Sequence, residues 1–340
     1  MSDAALLTDE RIEELLSAFG RIRLLVVGDA LLDEYLYGDA LGVSPEAPVP
    51  VIRVDDDWTV LGGAGNVVRN IIALGGHCEL VCVVGDDNTG DVVVSLLADL
   101  GVETHGAVCV AGRPTTHKTR LVARRQQIAR FDRETQAPLA PDDSERVLAR
   151  VKQAVGRVEG VVIEDYGKGL LSVELGRALM RTAADAGLAV NVDPKQTLDP
   201  FPGASLVKPN LAEAEALSGL RASEGGIEAI GRRLQKLVGG GDVAITQGGS
   251  GMTIFEGSEA GVYVPTVRQE VFDVQGAGDT IIAALSLARQ AGANLWEATV
   301  IANAAASVVV GKTGTATADR DEIRESLPAI RAAACEEGSR

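Results

Sequence analysis

Late in the chain, Asp273-Val274-Gln275-Gly276-Ala277-Gly278-Asp279-Thr280 sets an acid directly behind a Gly-Ala-Gly turn. The apolar run Ile281, Ile282, Ala283, Ala284, Leu285 follows, so the pattern predicts a loop opening a buried helix, with Asp279 in its first turn. Amide groups at a helix start lack intrahelical partners and carry the positive end of the macrodipole, which suits a phosphate. Glycine lets the backbone approach such an anion closely. A carboxylate beside an anion hole is what phosphoryl transfer needs to take a hydroxyl proton. Spacing alone leaves open the plainer reading of Asp279 as an acid favoured at a helix N-terminus.

Other short patterns carry less. Gly62-Gly63-Ala64-Gly65-Asn66 leads into a helical pattern, and Asn210 with Glu213 reads as a capping box at a helix start. Gly311-Lys312-Thr313 resembles the end of a P-loop, but Ala306 stands where the first glycine belongs, and the preceding stretch is helical. Gly276-x-Gly278 is followed by Ile281 where a dinucleotide fingerprint needs glycine or alanine. Neither nucleotide fold fits.

The elements that must position these residues follow from periodicity. Residues 23–27 (RLLVV) read as a central parallel strand ending at Gly28-Asp29, with Asp33 in the loop behind it. Residues 43–54 hold three prolines and alternate, which suits a projecting β flap. A second ribbon, 115–131, is dense in cations: Lys118, Arg120, Arg124, Arg125 and Arg130. Helices are predicted at 67–74, 91–100, 144–155, 173–186, 211–217, 227–238, 278–290 and 295–310. Strands are predicted at 80–84, 160–163, 189–192, 205–207, 243–246, and in a hairpin of 252–255 with 262–264. Such alternation implies a mostly parallel sheet with helices on both faces. Segments 28–33, 164–169, 193–195, 208–213 and 246–251 all fall beyond strand carboxyl ends, where open α/β sheets bind ligands.

Composition narrows the partners. The 340 residues carry 48 acidic against 32 basic side chains, which argues against nucleic acid or an anionic membrane as partner. With aromatics at 3%, the core must be filled by Leu, Val, Ile and Ala. Cys78, Cys82, Cys109 and Cys335 with His77, His105 and His117 form no zinc pattern and read as reduced thiols. The N-terminus reads as an amphipathic helix rather than a signal peptide, and no apolar run is long enough to span a bilayer. A cytosolic protein is expected, with a frayed tail beyond residue 330.

Taken together, the two separated glycine signatures resemble those of the ribokinase-like (PfkB) sugar kinases. Asp29 and Asp33, Asn210 and Glu213 in KPNLAE, and Thr246-Gln247-Gly248-Gly249-Ser250-Gly251 fall between them in the right order. The resemblance covers about residues 22–330. It implies a three-layer α/β/α fold with a small β lid made by 43–54 and 115–131. Within the family the chain most resembles the branch acting on D-glycero-β-D-manno-heptose 7-phosphate. The matching pieces are VSPEAPVPV at 43–51, Lys118-Thr119-Arg120, Asp165-Tyr166-Gly167-Lys168-Gly169, Asp193-Pro194-Lys195 and NAAASVVVGKTGTAT at 303–317. No His-x-Gly-His occurs in the chain, so the expectation is confined to the kinase step.

The resemblance also implies roles. Asp279 is the general base for the anomeric hydroxyl, and the Gly276, Ala277 and Gly278 amides hold developing charge. Asn210 and Glu213 orient Mg²⁺. Thr246, Gly248 and Gly251 border the phosphates and ribose of ATP, and Asn303 lies near adenine. Asp33, Gly63, Asn66 and Asp193 meet sugar hydroxyls, and Lys118, Arg120, Lys168 and Lys195 are candidates for the 7-phosphate. Activation by a monovalent cation such as K⁺ is left open, and a homodimer through the lid is expected. Two positions depart from the family: Gln275 where Thr or Ser is usual, and Glu164 where a small residue is usual. The rivals are a kinase of another sugar and a non-catalytic sugar- or nucleotide-binding regulator.

Overall fold

A computed structural model describes residues 7–124, 126–267 and 273–337. Helix α1 (Asp9–Ala18) is capped by Thr8, whose hydroxyl accepts from the Arg11 amide. Strands β1 (Arg23–Gly28), β2 (Ala30–Val43) and β3 (Pro50–Gly63) follow, then α2 (Ala64–Ala73), β4 (His77–Gly85) and α3 (Asn88–Asp99). Next come β5 (Ala107–Val110), β6 (His117–Ala123), β7 (Gln126–Arg133), α4 (Pro141–Ala154), β8 (Gly160–Glu164) and α5 (Val173–Asp185). The chain continues through β9 (Ala189–Asp193), β10 (Leu206–Val207), α6 (Leu211–Ser218), α7 (Ala222–Val238) and β11 (Asp242–Thr246). It closes with β12 (Met252–Phe255), β13 (Val262–Val264), α8 (Ala277–Gln290), α9 (Leu295–Val310) and α10 (Arg320–Glu337).

Among the described residues, nine strands form one sheet in the order β13-β12-β11-β10-β9-β8-β1-β4-β5, in which β12 alone runs antiparallel to the rest. Alternation along β1 shows why it is central. Leu24 and Val26 pack into one apolar layer with α2, α8 and α9, whereas Leu25 and Val27 pack into the other with α4, α5 and α7. A strand buried on both faces must be apolar there, as Leu24–Val27 are behind the exposed Arg23. The fold is the ribokinase-like three-layer architecture, with a second, four-stranded sheet in the order β3-β2-β6-β7.

That second sheet is the lid, and it is larger than the sequence indicated. Residues 43–54 were expected to form its first arm; instead β2 and β3 pair from Ala30–Gly63 out to Val43–Pro50. Pro45 and Pro48 lie in the connecting turn and Pro50 opens β3, positions that need no ladder donor. The buried inner half of β2 hid the strand, because its run of core residues lacks two-residue alternation. Asp33, expected in a loop, therefore stands on β2 beside Lys118 of β6. Residues 331–337, expected as a loose tail, continue α10, where Arg331 reaches Asp9 at 2.6 Å and the Leu7 carbonyl. Strand β5 had no expectation. Arg125, counted with the basic ribbon, lies outside the described residues, as do residues 338–340 of the expected tail.

Candidate active site

Helix α8 begins beyond a left-handed Gly276 (φ +76°), and no side chain caps it. A Cβ at Gly276 would come within 2.6 Å of Asn66 Nδ2 and 2.9 Å of Thr315 Cγ2, so the turn requires glycine on both counts. Amides at Gly278 and Asp279 belong to the first turn, where the helix supplies no acceptor. Asp279 is buried and fixed from two sides. Asn66 Nδ2 donates to Oδ2 at 2.7 Å, and the Tyr166 hydroxyl donates to Oδ1 at 2.9 Å. One turn further along α2, Asn70 Oδ1 accepts from Oγ1 of Thr280, the next residue of α8, at 2.9 Å, so α2 and α8 are joined by two polar pairs. The early glycine signature thus exists to bring Asn66 against the late one.

Burial pushes the Asp279 carboxyl up to about 7, against the two hydrogen bonds and with Asp193 adding repulsion. Tyr166 is held as a neutral donor by burial and the Asp279 charge. Beside them Lys208 Nζ pairs with Asp193 Oδ2 at 2.6 Å, deep in the protein. Burial works against the Lys208 charge, but Asp193 and Glu164 outweigh it. The ammonium would lie 3.5 Å from a Cβ at Gly278, so a second positive group faces the helix start. Glu164, aligned with Asp193 across β8 and β9, is buried with Oε2 unpartnered. Burial, then Asp193 and Asp279, drives its carboxyl well above the usual range.

A cleft of about 620 Å³ opens at these strand ends. It is lined by Gly276, Ala277, Gly278 and Asp279, by Asp193, Lys195 and Lys208, by Asn210 and Glu213, and by Thr246, Gly248, Gly251 and Asn303. Asn210 and Glu213 form the expected capping box of α6, and Glu213 Oε1 also accepts from Lys195 Nζ at 2.7 Å. Asn303 donates to the Val264 and Pro265 carbonyls at 3.3 and 3.0 Å, tying α9 to the end of β13.

Asp33, Gly63, Asn66, Lys118, Arg120 and Lys168 do not line that cleft: Asp33, Lys118 and Arg120 stand on the second sheet, Gly63 and Asn66 where β3 passes into α2, and Lys168 beyond β8. Gly63 precedes α2, and the Ala64 amide donates to the Asp29 carbonyl at 3.1 Å. Arg120 is one of the candidates for the 7-phosphate. It pairs with Asp33 Oδ1 at 2.6 Å and lies over the Tyr35 ring, because both acids and bases of the lid project from the same sheet face. Lys118 pairs with Asp132 and Glu134, Lys168 with Glu134, and Lys195 with Glu213. Gln275 accepts from the Tyr35 hydroxyl at 2.8 Å and so links the α8 turn to the lid. Lys312 of the rejected P-loop look-alike donates to Thr317 O and pairs with Glu322. Lys208 and Tyr166 received no role from the sequence. A lone lysine before a proline at a strand end was the only signal for the first, and the Asp-Tyr-Gly-Lys-Gly turn for the second.

A buried carboxylate at a helix start thus faces a cleft at the strand ends, beside a buried lysine. The chain belongs to the pfkB family carbohydrate kinases, whose family model matches residues 21–322. More particularly, it is 39% identical over 313 residues to the bifunctional protein HldE of Desulfatibacillum aliphaticivorans, covering 92% of this chain and 64% of that protein. It is 41% identical over 314 residues to the bifunctional protein HldE of Pelobacter propionicus, covering 90% of this chain and again 64% of the relative. The chain thus spans a little under two thirds of the length of these relatives. Among solved structures, Escherichia coli phosphofructokinase-2 in complex with potassium superimposes with TM-score 0.74 at 24% identity, over 91% of this chain and 99% of that one. Arabidopsis thaliana ribokinase complexed with ribose and ATP gives 0.69 at 22%, over 90% and 98%.

Proposed function

We propose that this protein transfers the γ-phosphoryl group of ATP to the anomeric hydroxyl of D-glycero-β-D-manno-heptose 7-phosphate, yielding the 1,7-bisphosphate in lipopolysaccharide core heptose synthesis. The observation that carries the chemistry is Asp279, buried at the mouth of α8 with each oxygen accepting one hydrogen bond. Each oxygen keeps a further lone pair for the sugar hydroxyl proton. As that proton moves to Asp279, the sugar oxygen attacks the phosphorus and the bond to the nucleotide's leaving oxygen breaks. The Ala277 amide, expected with those of Gly276 and Gly278 to hold this charge, donates to the Val274 carbonyl at 3.4 Å, so the Gly278 and Asp279 amides and the Lys208 ammonium would stabilise the charge on the transferred group. Asn210 and Glu213 offer an amide and a carboxylate oxygen on the cleft wall, a donor set that suits Mg²⁺ with waters. Bound there, the ion would supply charge neutralisation along the nucleotide phosphates. Thr246, Gly248 and Gly251 border that end, with Asn303 toward the base. K⁺ dependence is tested by replacing it with Na⁺.

The heptose specificity rests on the HldE relatives and on the cations of the lid. A kinase of an unphosphorylated sugar is the second reading, favoured by the acid partner that each of Lys118, Arg120, Lys168 and Lys195 carries. A coupled ADP-release assay with heptose 7-phosphate, fructose 6-phosphate and ribose separates them. The heptose phosphate should be turned over best, and Asp279→Asn should lower its rate by about 10²- to 10⁴-fold. Background ADP release with all three would leave only a binding protein. The enzyme would act in the cytosol, where ATP is available, as a homodimer joined through the lid.

A further inference from the structure

Two lysines from separate parts of the fold share one acid. Lys118 Nζ, on lid strand β6, is 3.0 Å from Glu134 Oε2; Lys168 Nζ, on the loop after β8, is 2.7 Å from Glu134 Oε1. The lysine side chains are only 12% and 13% exposed, so solvent does little to screen them from each other. Glu134 neutralises both ammonium groups, and Lys118 Nζ meets a second acid, Asp132 Oδ2, at 3.0 Å. Two donors converging on one anion is also how a phosphate monoester is held, and its added charge and third oxygen make it the stronger occupant.

We propose that Glu134 is a resident surrogate for the substrate's phosphate: its carboxylate bridges Lys118 and Lys168 in the free protein and is exchanged for the phosphate monoester of the incoming sugar. The inference rests on the reading above that the sugar is phosphorylated. Three observations favour exchange over a permanent tie. Lys118 is locked in the lid ladder between β2 and β7. The Lys168 main chain is held by Asp29 Oδ2, which accepts from its amide at 3.1 Å. Glu134 is the first residue beyond β7, so of the three it can swing away without breaking the ladder.

On the reading above, the bridge belongs to the sugar end of the site. Lys168 follows Tyr166, which holds the catalytic carboxylate, by two residues, and Lys118 neighbours Asp33. None of the three lines the cleft bordered by Thr246 and Gly248, so the exchange does not compete for nucleotide phosphates. A phosphate taking the seat would replace a lid-to-core contact made by the chain with one made by the substrate. Lid closure would then report that a phosphorylated sugar is present.

The test compares KM for heptose 7-phosphate with KM for the same heptose lacking the phosphate, in the full chain and in Glu134→Gln, Lys118→Ala and Lys168→Ala. Removing the competing anion should raise the preference for the phosphorylated sugar about three- to tenfold in Glu134→Gln, and either lysine change should lower it. Inorganic phosphate should also raise the Tm of Glu134→Gln more than that of the parent, a readout independent of turnover. If the lysine variants lose the preference while Glu134→Gln keeps or lowers it, the exchange is overturned and the phosphorylated-substrate reading stands. If neither lysine matters, that reading falls and the exchange with it.

Discussion

In the proposed reaction Asp279 takes a proton only when ionised, and its environment decides when that is. Burial holds its carboxyl at about 7, so the free enzyme gains activity as pH rises through neutrality. The kcat/KM profile should show an acidic limb with a midpoint near 7, and a limb near the ordinary aspartate value would contradict the described geometry. Glu164 makes a separate prediction about stability. Its folded value lies above its unfolded one, so the folded state retains a proton that the unfolded chain has already released. The sign is therefore that stability is full below the ordinary glutamate range and declines as pH climbs from there toward the folded value. Glu164→Gln removes that decline, worth about 1.4 kcal/mol per pH unit for one proton. Urea unfolding between pH 4 and 8 measures it; parallel curves for parent and variant would show that Glu164 does not hold the proton. Asp193 and Asp279 contribute slopes of the same sign, so the variant's curve flattens without becoming level.

At the scale of elements, the lid is tied to the α8 turn by the hydroxyl of a tyrosine stacked within the lid. Tyr35 lies 4.3 Å from Trp58 with the rings 8° from parallel, and its hydroxyl donates to Gln275 and lies 3.0 Å from Thr315 Oγ1. The departure at Gln275 therefore serves lid attachment: a shorter Thr or Ser side chain would carry its oxygen less far toward Tyr35. Tyr35→Phe keeps the stack and deletes the polar tie. A lost hydrogen bond of about 0.5–1.5 kcal/mol should raise KM for the sugar about two- to tenfold. Steady-state kinetics would show it, and an unchanged KM would mean that the lid docks by packing alone.

At the scale of the molecule, apolar exposure is concentrated on the lid. Leu41, Val43, Val49, Val51, Val54, Ile128 and Phe131 are all at least 39% exposed. A patch of that kind on an otherwise acidic surface suits self-association, and it covers strand edges that would otherwise be open. Light scattering at micromolar concentration should return a dimer for the parent chain and a monomer for Phe131→Glu. A monomeric parent would remove the lid-mediated homodimer. No helix among the described residues is long and apolar enough to cross a membrane.

The sequence determined those features that one residue type and its neighbours suffice to impose. Gly276 and Asp279 announced the helix start because a left-handed turn beside an anion hole tolerates little else. The parallel strands were legible from apolar runs such as RLLVV, since a strand buried on both faces has no polar option. Tertiary structure alone decided what those residues meet. Asn66 and Tyr166 reach Asp279 across 213 and 113 residues. The Lys208–Asp193 pair, the orphaned Glu164 oxygen and the acid partners of Lys118, Arg120, Lys168 and Lys195 likewise depend on which strands become neighbours. Charge compensation in a buried site is set by distance in space, and a linear chain does not record it.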